Sequence, residues 1–173
     1  EVNVVEHQEY RIEGGAWQAS GLFTHLTPNT SYVIETRMKG SETHEASAIS
    51  EGVSVLTIKH TVSTPSVPVL ISKNDTRIEV EVIEGQVVRL NGGTWQSSGV
   101  FMNLSPNQSY SIETLVSETA SSYASPISDA LVVITDKSTQ VTPSAPTLKE
   151  VSATSIEVNV VEHQEYRIEG GAW

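Results

Sequence analysis

Apolar and polar positions alternate along much of the chain. Ile78, Val80 and Val82 alternate with Arg77, Glu79 and Glu81. Tyr32, Ile34, Thr36 and Met38 alternate with Val33, Glu35 and Arg37, and Leu131, Val133 and Thr135 continue the pattern. A period of two belongs to a strand with one face buried and one in water. No stretch sustains a period of 3.6, so no helix is predicted. Gly14-Gly15 and Gly92-Gly93 sit between strand-like runs. They predict tight hairpins with both glycines at positive φ.

Every one of these signals recurs. A displacement of 78 residues lays Glu1-Val2-Asn3-Val4 over Glu79-Val80-Glu81-Val82, and the register holds without a gap, with about half the positions identical. Residues 157–173 repeat residues 1–17 without a change. An alternating array with a super-period of 156 residues accounts for both facts, and an arbitrarily cut or engineered segment is the other account. The chain opens mid-pattern at Glu1 and reads as an excerpt of something longer.

Boundaries fall at the Pro-bearing stretches 61–68 and 139–146. Proline stiffens the chain there and cannot join a central ladder. The organisation expected is residues 1–62 as a repeat lacking its first strand, 63–141 as a complete repeat, and 142–173 as the first strands of a third. In the complete repeat, Val80, Val82, Val88, Leu90, Tyr110, Ile112, Leu131 and Val133 should form the core. The units should be antiparallel β-sandwiches arranged end to end. Residues 1–62 should hold six strands of seven.

The spacing Leu-x-Pro-x-x-x-Tyr occurs at Leu26/Pro28/Tyr32 and Leu104/Pro106/Tyr110. It resembles the tyrosine corner of fibronectin type III domains. The Pro-x-x-Pro opening, the Trp after the Gly-Gly hairpin and Ala46-Ser47-Ala48-Ile49-Ser50 resemble that family too, above all its repeats in bacterial surface and secreted proteins. The resemblance implies a seven-stranded sandwich. In it the hydroxyls of Tyr32 and Tyr110 bond backbone near the preceding Leu. One departure is Val4, Val82 and Val160, where the family usually places a Trp.

Composition narrows the chemistry. The formal net charge is −11 and there is no Cys. Disulfides and zinc-thiolate sites are excluded. The acidic balance argues against nucleic acid and anionic membrane, which demand a basic face. No apolar run reaches the length of a membrane helix, so no membrane insertion is expected. His7, His25, His44 and His60 fall on Gly85, Asn103, Ser122 and Ser138 one repeat later, and no two have metal-ligand spacing. No catalytic, cofactor or metal residue is predicted; Asp129 and Asp136 fall far short of a calcium shell. Asn29, Asn74, Asn103 and Asn107 open Asn-x-Ser/Thr triplets, expected from a Ser/Thr/Asn-rich chain. Trp17, Trp95 and Trp173 recur once per repeat. They are either candidate sugar-stacking platforms or the edge of the core beside the hairpin.

The function these residues favour is non-enzymatic. It is a spacer or fibre-forming segment of an extracellular stalk, filament or adhesin on a bacterial cell surface. Its partners are neighbouring repeats of the same protein, head to tail, each unit about 30–40 Å long. The alternative is an ancillary module of a secreted polysaccharide-degrading enzyme, with the Trp row touching cell-surface or substrate glycan.

Overall fold

The computed structural model describes residues 2–172. The chain divides into two compact units, Glu1–Lys137 and Ser138–Trp173. Among the described residues there is no helix.

In the first unit, strands β1 (Gln8–Ile12), β2 (Ser31–Met38) and β3 (Val53–Leu56) form an antiparallel sheet in the order β1-β2-β3. The middle repeat has two sheets. Strands β4 (Leu70–Lys73), β5 (Ile78–Val80) and β7 (Val100–Phe101) form one; β6 (Gln86–Leu90), β8 (Ser109–Val116) and β9 (Leu131–Ile134) form the other. Their inner faces meet in one cluster. Ile78, Val80 and Phe101 come from the first sheet, and Val88, Ile112 and Val133 from the second. Consecutive strands split between two facing antiparallel sheets in this way are the architecture of immunoglobulin-like sandwiches. The fold is all-β, as the alternation requires.

The core follows the period-two reading. Val80, Val88, Ile112 and Val133 are buried, and Val82, Leu90, Tyr110 and Leu131 pack against them half-buried. The seventh strand is reduced to a single bridge, Val88↔Gln96. The Gln96 side chain explains why. Its Nε2 donates to Ser98 O at 2.6 Å and to Val100 O at 3.1 Å, turning the chain toward β7.

The hairpins lie one residue earlier than the glycine pairs suggest. Positive φ falls on Glu13 and Gly14, and on Asn91 and Gly92, not on both glycines. Gly15 N–H donates to Ile12 O at 2.9 Å and Gly93 N–H to Leu90 O at 2.8 Å, closing a two-residue primed turn. The second glycine is needed for space instead. A Cβ on Gly15 would stand 3.0 Å from Ile12 O. The left-handed residue before it is fastened across the sheet. Val33 N–H donates to Glu13 Oε1 and Ser111 N–H to Asn91 Oδ1, both at 2.8 Å.

The first repeat shows three strands among its described residues, where six were expected. Its one sheet matches β6-β8-β9 pair for pair: Ile12 faces Ile34 as Leu90 faces Ile112. The counterpart of the β4-β5-β7 sheet does not form. Val2 N–H still donates to Gly21 O at 2.9 Å, as Val80 N–H does to Gly99 O. Among the described residues no strand equivalent to β4 lies beside it, and a lone segment cannot build a ladder. The inner face is therefore open. Val55 is 44% exposed where its counterpart Val133 is 5%, and Tyr10 is the one fully buried apolar residue of the repeat.

The second unit holds a hairpin of β10 (Leu148–Val151) and β11 (Ile156–Val158). It reproduces the β4–β5 pairing, including the irregularity between its first two paired positions.

Candidate functional site

Three constellations carry the structure's distinctive chemistry: the tyrosine corners, the Trp–Arg stacks and the junction between the first two repeats.

At the corners, Thr27 N–H donates to the Tyr32 hydroxyl at 2.9 Å, and Ser105 N–H to the Tyr110 hydroxyl at 2.8 Å. The bonded residue follows Leu26 or Leu104 directly, and Pro28 or Pro106 holds the bend between. A threonine closes each corner from the last strand. Thr135 Oγ1 donates to Ser105 O at 2.7 Å and accepts from Gln108 N–H at 3.0 Å. Thr57 Oγ1 does the same with Thr27 O at 2.6 Å and Thr30 N–H at 3.0 Å. Sequence reasoning missed these two threonines as corner residues. Their recurrence at 78 residues was the available signal.

Each described Trp is covered by arginine. The Arg89 guanidinium lies 4.5 Å from the Trp95 ring centroid. Trp17 takes two, Arg11 at 4.6 Å and Arg37 at 4.3 Å. These arginines are held by cross-strand carboxylates: Arg11 by Glu35 and Arg37 by Glu9 at 2.6 Å, and Arg89 by Glu113 at 2.7 Å. A guanidinium on the ring competes with a sugar for the same π-face. Trp173 lies outside the described residues.

The histidines are exposed. His7, His25 and His163 occupy left-handed turn positions, with φ of 65°, 59° and 63°. Gly85 and Asn103 hold two of these positions in the middle repeat, at φ of 81° and 59°. They are turn residues of a kind His tolerates better than most. Among the described residues no group of three His, Cys, Asp or Glu could hold a metal ion. No helix among them is long and apolar enough to cross a membrane. One carboxyl is perturbed. The Arg77 guanidinium, 2.8 Å from Glu79, and the Ser72 hydroxyl at 2.9 Å hold the Glu79 carboxyl below the usual carboxylate range.

The junction is formed by Lys59 and His60 against the loop after β8. His60 N–H donates to Ser121 O and Tyr123 N–H donates to His60 O, both at 2.9 Å. These bonds make a parallel bridge between His60 and Ser122. The Lys59 ammonium pairs with Glu118, donates to Thr119 O at 3.1 Å and lies 5.9 Å from the Tyr123 ring centroid. Lys59 recurs as Lys137 one repeat later, and His60 is one of the exposed histidines. The structure makes both into contacts.

No family model matches the chain, and no curated protein matches it. Among solved structures it is similar to the chicken CNTN1 FN1-FN3 domains, with 15% identity and a TM-score of 0.36. The match covers 76% of this chain, and the chain spans 57% of that structure's length. The sandwich assignment rests on the sheet topology and the shared core.

Proposed function

We propose that this chain is a spacer: a non-enzymatic segment of an extracellular stalk, filament or adhesin. Fibronectin type III-like repeats are its units, joined head to tail. The observation that carries the reading is the backbone-bridged junction at His60. It ties one repeat to the next through main-chain bonds and an ion pair rather than through a slack linker. The tyrosine corners support it by pinning the crossover in each repeat. The Trp rings support it too, since arginine occupies faces that a glycan-binding module would offer to sugar. Residual dipolar couplings test the reading. The first two repeats should fit one alignment tensor, and His60→Pro, which removes the bridging N–H, should give each its own. Separate tensors in the unaltered chain would refute a rigid spacer.

A further inference from the structure

The junction at His60 can be compared, position by position, with the residues one repeat away on each side. Lys59 and His60 correspond to Lys137 and Ser138. On the receiving loop, Glu118, Ser122 and Tyr123 correspond to Gly40, His44 and Glu45. The exchanges are reciprocal. The bridged pair His60 and Ser122 becomes Ser138 and His44, so imidazole and hydroxyl change sides and each pair keeps one of each. The lysine is retained. Gly40 stands at the place of Glu118, and a carboxylate, Glu45, stands at the place of Tyr123.

The receiving loop keeps its shape through these changes. In the middle repeat, Thr119 N–H donates to Ser122 O at 3.0 Å and Ser122 N–H to Thr119 Oγ1 at 3.0 Å. In the first repeat, Ser41 N–H donates to His44 O at 2.8 Å and His44 N–H to Ser41 Oγ at 3.1 Å. The loop base matches as well. Ser125 N–H donates to Val116 O and Ser47 N–H to Met38 O, and the serine hydroxyls accept from Val116 and Met38 N–H at 2.9 Å. Thr43 O and Glu45 N–H hold the places of Ser121 O and Tyr123 N–H, the groups that grip His60.

We propose that loop 40–45 of the first repeat is a docking surface for Lys137 and Ser138 of another copy of this chain. Ser138 N–H donates to Thr43 O, Glu45 N–H donates to Ser138 O, and the Lys137 ammonium meets the Glu45 carboxylate. The proposal rests on the spacer reading, because it extends the His60 junction to the opposite order of repeats. It adds the pairing rule. Each junction takes one Lys with one Glu and one His with one Ser, and the two kinds of junction hold their partners in opposite places.

The chain has no Cys, so disulfide trapping has a clean background. Residues bridged as His60 and Ser122 are stand at disulfide-forming separation. Full-length Ser138→Cys is mixed with full-length His44→Cys and oxidised. The expected result is several-fold more mixed dimer than from Ser138→Cys with Ser97→Cys, an exposed control. Lys137→Glu added to the first partner should remove the excess, and Glu45→Lys added to the second should restore it. Equal yields from the His44 and Ser97 partners, or reversal without rescue, overturn the proposal. His60→Cys/Ser122→Cys within one chain reports separately on the spacer reading. Its closure together with failed trapping between copies overturns the docking surface alone; its failure to close counts against the spacer as well.

Discussion

Residues 2–16 and 158–172 have the same sequence and different structures. In the first stretch, Gln8–Ile12 is strand β1, paired residue for residue with β2. In the second, the equivalent residues 164–168 form no strand. The turns agree all the same. Glu13 and Gly14 have φ of 50° and 69°, and Glu169 and Gly170 have 43° and 77°. Val5 N–H donates to the Tyr10 hydroxyl at 2.8 Å and Val161 N–H to the Tyr166 hydroxyl at 2.9 Å. Strand pairing and burial separate the two tyrosines. Tyr10, in β1, is 2% exposed, whereas Tyr166 is half-buried. The difference teaches which bonds a short segment makes from its own residues and which it makes only when a neighbour supplies the other half.

Removing that neighbour should give the largest effect. Thr36 lies in the central strand β2 opposite Tyr10. Thr36→Pro should destabilise the first sheet by about 1–3 kcal/mol, since it removes the N–H that donates to Ser50 Oγ at 3.1 Å and puts a proline in a central strand. Hydrogen exchange should then show amides 8–12 as unprotected as 164–168. Continued protection would mean that β1 does not depend on β2.

The turn tests the other side of the comparison. Gly14→Ala and Gly170→Ala each place a Cβ in left-handed backbone, at about 1–2 kcal/mol. The space around both glycines is open, so strain is the whole effect. NMR scalar couplings should show equal loss of turn population in both copies. A larger loss at Gly14 would show that the sheet imposes the turn.

The tyrosines should divide. Tyr10→Phe removes a hydroxyl bonded to Val5 N–H and to Asn3 O, and should cost about 1–1.5 kcal/mol by chemical denaturation. Tyr166→Phe, at a half-buried tyrosine whose bond to Val161 is exposed, should cost less. Tyr110→Phe should cost about 1 kcal/mol, because Ser105 N–H loses its acceptor.

The smallest effect is electrostatic and belongs to the middle repeat, where the hairpin has its complete sandwich. Arg77 and then Ser72 lower the pKa of Glu79 in the folded state. A depressed carboxyl contributes stability above its unfolded value, about 4.3, and the contribution disappears as pH falls through the folded value. Denaturation across the acid range should show a shallower decline for Glu79→Gln. An unchanged slope would place the acid sensitivity elsewhere.

Much of the middle repeat was legible because alternation reports a face, and a face needs no knowledge of its partner. Val80, Val88, Ile112 and Val133 were readable for that reason. Phe101 was not, because β7 is two residues long and shows no period. The shifted turn was misplaced because glycine is the residue most at ease at positive φ, whereas Glu13, Asn91 and Glu169 take it as well. The junction was hidden because Lys59 and the loop at 118–123 are far apart in the chain, and no local pattern joins them.

Sequence by itself determined the repeat, the strand faces, the tyrosine corners and the conformation of the Glu-Gly turn. Each depends on residues within a few positions, or on a period that any window reveals. Tertiary structure decided whether β1 exists, whether Tyr10 is covered, and whether the backbone of the exposed His60 is bridged. A strand's hydrogen bonds leave the segment sideways, so half of each bond belongs to residues far along the chain. Identical residues at 8–14 and 164–170 therefore make the same turn in both places and a strand in one.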